Sequence, residues 1–185
     1  VVDLPIIVEG PDGGGKTTVA KDLCEKLERV YCRPSEEDLS STGGPGGIGL
    51  VEWWDSQLGK SSLDLGGNVY DRCFYISDPI YQQAQPWRGL LVPSEDTRRG
   101  IMRLWGVEPI IIFCLPPFEV QLANVTAADR SRLKGVADDQ LLKISNQYHA
   151  YYGMWANALY DNVMTYDYTE EEAWERLLER LASIR

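Results

Sequence analysis

The chain is poor in the residues that most often bind metals or attack substrates. It has one histidine, His149, in 185 residues. No His-centred triad or ligand set can be assembled around it, so it reads as a packing or surface residue in a tyrosine-rich helical stretch. The four cysteines (Cys24, Cys32, Cys73, Cys114) lie far apart with no Cys-x-x-Cys pair, which argues against a zinc cluster and for reduced thiols. Basic residues are scarce: 18 Lys and Arg face 28 Asp and Glu, for a net charge of -10. That balance argues against a broad hold on nucleic-acid backbone, whose phosphates need Lys and Arg. No apolar run approaches the ~20 residues of a membrane helix. The N-terminus passes almost at once into an apolar segment, so the expectation is a cytoplasmic protein without a secretory leader. The remainder, 44% hydrophobic and 25% charged, is an ordinary globular mixture. A chain of this length is most simply one domain, 1–185.

What the chain does have is glycine in one informative place. Gly10-Pro11-Asp12-Gly13-Gly14-Gly15-Lys16-Thr17 fits the pattern of Gly, four residues, Gly-Lys-Ser/Thr. Leu4-Pro5-Ile6-Ile7-Val8 before it is a short β-type segment, and Val19, Leu23, Leu27 and Val30 after it recur at helical spacing. A strand, a glycine loop and a helix in that order let backbone N–H groups close around an anion at a helix N-terminus. Lys16 would reach the β/γ-phosphates and the Thr17 hydroxyl would ligate Mg²⁺. The stretch Gly10, Asp12, Gly13, Gly14, Gly15, Lys16, Thr17 and Thr18 is therefore the candidate ATP-binding segment, with Mg²⁺ as the accompanying ion. A glycine-rich turn without a ligand is the plainer alternative.

Strand-like segments recur at Leu4 to Val8, Val30 to Cys32, Asn68 to Tyr70, Ile110 to Leu115 and Val163 to Tyr166, with helical patterns between them. Leu141, Tyr148 and Trp155 repeat every seven residues, marking one long amphipathic helix. Thr169 is the candidate N-cap of a last helix, with Glu170 to Glu172 in its first turn. Alternating strands and helices indicate an α/β fold with a parallel sheet covered on both faces. Ile110 to Leu115, apolar throughout and stopped by Pro116-Pro117, suits a central strand. The glycine-rich Ser40 to Gly49 segment lacks a following Lys, which leaves a substrate-side loop or a linker.

Phosphoryl transfer needs positioning, Mg²⁺ and positive charge more than covalent chemistry. Asp71-Arg72 stands at the end of a strand, where ligands collect in open α/β sheets. Asp71 could serve Mg²⁺ or orient an acceptor, and Arg72 could clamp a phosphate through its fork. Phe74, Tyr75 and Tyr81 are aromatic candidates for stacking on a base, with core packing as the alternative.

The segment Val8-Glu9-Gly10-Pro11-Asp12-Gly13-Gly14-Gly15-Lys16-Thr17-Thr18 resembles the phosphate loop of the thymidylate kinase family, in which Glu-Gly-x-Asp-Gly-x-Gly-Lys-Thr-Thr recurs. That family follows its third strand with Asp-Arg-Tyr, a Ser and an Ala-Tyr-Gln. Here Asp71-Arg72-Cys73 is followed by Ser77 and Ile80-Tyr81-Gln82, with one extra residue between Arg72 and Ser77. The resemblance implies a three-layer P-loop NTPase fold with a five-stranded parallel sheet. It also implies that Asp12 meets the acceptor sugar, while Asp71 and Arg72 serve Mg²⁺ and the acceptor phosphate. Arg33-Pro34 is similar to a segment that contacts that phosphate, and Tyr81-Gln82 and Phe74 complete the implied substrate side. Asp129-Arg130-Ser131-Arg132-Leu133-Lys134 is similar to the basic lid, taken as 126–137. With Gly13 and Gly14 where some members carry an arginine, Arg130 and Arg132 would supply the catalytic charge.

The implied activity is an ATP-dependent phosphotransferase, a nucleoside monophosphate kinase acting on a deoxynucleotide and most simply dTMP. The expected catalytic set is Lys16, Asp71, Arg72, Arg130 and Arg132, with Thr17 and Asp71 at the metal. The expected partner is a nucleoside monophosphate, with no membrane; a homodimer is allowed. One alternative, suggested by the short glycine-rich region before Asp71, is a P-loop kinase that phosphorylates a hydroxymethylated pyrimidine base in DNA. Another is a catalytically silent nucleotide-binding module. Asp64-Leu65-Gly66-Gly67 faintly matches a GTPase motif, but no Asn-Lys-x-Asp stretch exists to read guanine.

Overall fold

The computed structural model describes residues 4–34, 48–58, 67–84, 94–127 and 138–184. Five strands, β1 (Ile6–Glu9), β2 (Val30–Cys32), β3 (Asn68–Asp71), β4 (Ile110–Cys114) and β5 (Val163–Tyr166), form one sheet in the order β2-β3-β1-β4-β5. Every pairing is parallel. Seven α-helices accompany them among the described residues: α1 (Lys16–Leu27), α2 (Ile48–Leu58), α3 (Phe74–Ala84), α4 (Ser94–Val107), α5 (Phe118–Ala127), α6 (Asp138–Leu159) and α7 (Ala173–Ser183). None of the described helices is long and apolar enough to cross a membrane.

The central strands β1 and β4 are buried throughout, as a covered parallel sheet requires, while the edge strand β2 is partly exposed. Alternation along β1 sends Ile6 and Val8 into one core and Ile7 into the other. The first core lies under α1 and α7 and contains Val19, Leu23, Leu177 and Leu181. The second lies under α2, α3, α4 and α6, where Trp54, Tyr75, Leu104, Tyr148 and Trp155 pack. The layers are helix, sheet, helix. The seven-residue repeat of Leu141, Tyr148 and Trp155 is the buried face of α6, and His149 is exposed on the same helix.

Two local expectations are corrected. Val30 opens β2 and is exposed; α1 stops at Leu27, where Glu28 takes a left-handed φ of 55° and its N–H reaches the Cys24 carbonyl. Thr169 does not cap α7. The Asp167 carboxylate accepts from both the Thr169 amide (2.9 Å) and its hydroxyl (2.6 Å), which draws the chain into a turn. The helix begins at Ala173, after a left-handed Glu172 at 59°.

Because all strands run the same way, the carboxyl ends of β1, β3 and β4 lie at one edge. Val8 stands beside both Asp71 and Ile112 in register, and the Arg72 amide donates to the Val8 carbonyl at 3.0 Å. The glycine loop leaves β1 there and packs down onto α5. Gly13 has φ +80°, and a Cβ on it would overlap the backbone carbonyl of Gln121. Gly13→Ala is therefore expected to destabilise the protein by roughly 1–3 kcal/mol from the backbone conformation alone. Thermal unfolding should show this as roughly 2–4 °C for each kcal/mol. An unchanged Tm would mean the loop does not hold this approach to α5.

Candidate active site

The glycine loop joins β1 to α1. Gly15 precedes the helix with φ +85°, no side chain caps that end, and no acid lies in the first turn. A helix start with these properties leaves its positive end for an anion. Lys16 is buried, and its Nζ donates to the Pro11 carbonyl across the loop at 2.7 Å. Burial, with Arg72 beside it, pushes the ammonium down to about 8, against the pull of Asp12 and Glu9. On the outer side, Asn124 of α5 donates to the Gly13 carbonyl at 2.9 Å and to the Tyr168 hydroxyl at 2.6 Å. The Tyr168 ring lies close against Gly15.

Asp71 ends β3 almost wholly buried. Its Oδ2 accepts from the Thr17 hydroxyl (2.7 Å), the Tyr31 hydroxyl (2.7 Å) and Arg33 Nη1 (3.3 Å). A hydroxyl and a carboxylate at hydrogen-bond distance, at the foot of an anion loop, are hard oxygen donors suited to Mg²⁺. The residues fit that ion: Thr17 and Asp71 would hold it, and Tyr31 and Arg33 would keep the carboxylate aimed.

Arg72 turns into the cleft with φ 80°. Its Nη2 donates to Asp12 Oδ1 at 3.1 Å, while the Tyr81 hydroxyl donates to Asp12 Oδ2 at 2.9 Å. The guanidinium also lies over the Tyr81 ring, 5.6 Å from its centroid. Burial works against the Asp12 charge, yet Arg72, Lys16 and the Tyr81 hydroxyl together hold the carboxyl down at about 2. The Glu9 carboxylate sits behind this group, fully buried, and accepts from the Cys73 and Gly10 amides and the Tyr148 hydroxyl. Burial pushes it up to about 7, against Arg72, the Cys73 amide and Lys16.

The structure thus brings Asp12, Lys16, Thr17, Arg33, Asp71, Arg72 and Tyr81 to one strand edge. Tyr81 spends its hydroxyl on Asp12 and one ring face on Arg72, and it makes a T-shaped contact with Tyr148. Phe74 packs against the second core, Gln82 is half-buried on α3, and Thr18 is exposed on α1. Arg130 and Arg132, with the rest of 128–137, lie outside the described residues, as do 40–47 of the glycine-rich stretch and Asp64 to Gly66. No group of acids, cysteines or histidine suited to a metal cluster occurs among the described residues, and the four cysteines are free. Glu9, Tyr31, Asn124, Tyr148 and Tyr168 were given no site role from sequence, although Glu9 stands in the quoted glycine-loop motif and Tyr148 in the seven-residue repeat. Only Glu9 carried a signal, as a carboxylate closing an apolar strand bound for the core.

No protein-family model matches the chain. Among solved structures, it is similar to deoxyadenosine kinase from M. mycoides with bound dATP (TM-score 0.70, 19% identity, 97% of this chain and 100% of that one). It is also similar to the YorR protein of Bacillus subtilis in complex with phosphorylated GDP (0.57, 18%, 97% and 98%). A third is shikimate kinase from Acinetobacter baumannii in complex with shikimate (0.53, 17%, 97% and 90%). At these identities the likeness establishes a shared architecture: the chain has the α/β fold of P-loop kinases.

Proposed function

We propose that this protein is an ATP-dependent phosphotransferase acting on a deoxynucleoside-type acceptor, with a deoxynucleoside monophosphate, and dTMP in particular, as first choice. One observation carries the reading: Thr17 of the glycine loop bonds Asp71, and Asp12 of the same loop bonds Arg72, so the phosphate loop and the acceptor-side pair share one cleft. The loop amides and Lys16 would hold the triphosphate tail, and Arg72 would face the incoming group. Mg²⁺, when bound, would neutralise phosphate charge during transfer. The solved structures named for deoxyadenosine kinase, with bound dATP and dCTP, support a deoxynucleoside-type acceptor.

A second reading has a specific observation behind it. Arg72 is engaged by Asp12 and Arg33 by Asp71, so these two cations arrive already paired. A neutral deoxynucleoside, hydrogen-bonding to Asp12 and Arg72 through sugar hydroxyls, would not need either ion pair opened.

An ADP-release assay across the deoxynucleoside monophosphates and the deoxynucleosides decides between them. With a monophosphate acceptor, Arg72→Ala is expected to lower kcat/KM by ~10²–10³-fold, the scale of losing one aimed charge stabiliser. No stimulation by any member of either series would overturn the kinase reading. Lys16 supplies a separate check. Its pKa lies near 8 in the free protein, and an adjoining polyphosphate favours the ammonium, so ATP binding should draw in a proton. Calorimetry in buffers of different ionisation enthalpy should show uptake near pH 8, with affinity falling above it. Binding without uptake at that pH would remove Lys16 from the phosphate contacts.

A further inference from the structure

The proposed transfer leaves the Glu9 carboxylate without a task, although burying it is costly. It is wholly inaccessible at the carboxyl end of β1, and among the described residues it makes no direct ion pair. A buried carboxylate persists where its hydrogen bonds do something an apolar side chain cannot. Its Oε1 accepts from the Cys73 amide, and its Oε2 accepts from the Gly10 amide and the Tyr148 hydroxyl, each at 3.3 Å. These partners belong to three parts of the site: the turn that carries Arg72, the phosphate loop, and α6, which follows 128–137.

The bond to Cys73 has a local consequence. That amide belongs to the peptide directly after Arg72, so its direction fixes the Arg72 ψ. The Arg72 φ of 80° lies in the left-handed region, uncommon for a long side chain. On the other side of the residue, the Arg72 amide is held by the Val8 carbonyl at 3.0 Å. Two successive residues of β1 therefore grip the turn, Val8 by backbone and Glu9 by side chain.

We propose that Glu9 is a positioning residue for the acceptor side, whose carboxylate holds the Arg72 turn from behind so that the guanidinium faces the cleft beside the phosphate loop. Its functional consequence rests on the phosphotransfer reading; its geometry does not. Burial pushes this carboxyl up to about 7, so its proton occupancy changes across the neutral range. The groups coupled to it are Lys16 of α1, Arg72 and Cys73 of the turn, Tyr81 of α3, Cys114 of β4 and Tyr148 of α6. Ionised, Glu9 accepts more strongly from Cys73, so the turn tightens as pH rises through 7.

Nuclear magnetic resonance and kinetics on the full chain test this together. In the wild type, the Cys73 and Gly10 amide signals should move in concert with a midpoint near pH 7, and neither should move that way in Glu9→Gln. Glu9→Ala should displace the Arg72 Nε–H signal, whereas Glu9→Gln, which keeps an acceptor for Cys73, should not. In turnover, Glu9→Ala should raise the acceptor KM about tenfold or more, with the ATP KM within about twofold; Glu9→Gln should largely restore it. The wild-type to Glu9→Gln ratio of acceptor KM should fall as pH rises through 7, a comparison that cancels the acceptor's own second ionisation at about 6. Amide signals indifferent to pH, or equal losses for ATP and acceptor, would overturn the proposal. If Glu9→Ala does not fold, the wild-type amide titration and the Glu9→Gln ratio decide alone. If no acceptor is turned over, the transfer reading falls, and the amide and Arg72 signals still decide whether Glu9 holds the turn.

Discussion

Charge balance in a confined space governs this molecule. Three acids, Glu9, Asp12 and Asp71, meet three bases, Lys16, Arg33 and Arg72, at the carboxyl edge of a sheet whose central strands are buried. Removing a charge from water is costly unless it is paired or hydrogen-bonded. Here Asp12 takes Arg72 and Tyr81, and Asp71 takes Thr17, Tyr31 and Arg33. Those pairings set the positions of the loop, the β3–α3 turn and β2 relative to one another. They also mean that an incoming anion would compete with carboxylates for cations already in use.

The legible part of the site was the part carried by local chemistry. A glycine loop between an apolar strand and a helix announces itself within about twenty residues, and an Asp-Arg pair after a strand falls at the productive edge once the sheet is known to be parallel. The five strands were readable because each carries a short apolar run, most of them bounded by turn residues. What escaped depends on adjacency in space. Tyr31 reaches Asp71 across 40 positions, Tyr148 reaches Glu9 across 139, and Asn124 reaches Gly13 across 111. No spacing rule brings such pairs together. Thr169 failed for a different reason: Asp167, two residues earlier, competes for its amide and wins, moving the helix start to Ala173.

The solved structures with this architecture are named for quite different acceptors, deoxyadenosine in one and shikimate in another. Acceptor choice in such a fold is written in side chains around the sheet edge, not in the order of the strands. Under the proposed reading, those side chains would come largely from β2, the β3–α3 turn and α3, and the donor side from the continuous run after β1.

The grip on the outside of the glycine loop has its own consequence. Asn124 bonds the loop and Tyr168 at once, the Tyr168 ring abuts Gly15, and Gly13 rests on the α5 backbone. Gripped in this way by α5 and by the turn after β5, the segment has its curvature braced by contacts within the chain. Little chain entropy then remains to be lost on occupancy, so more of each amide contact can appear as affinity.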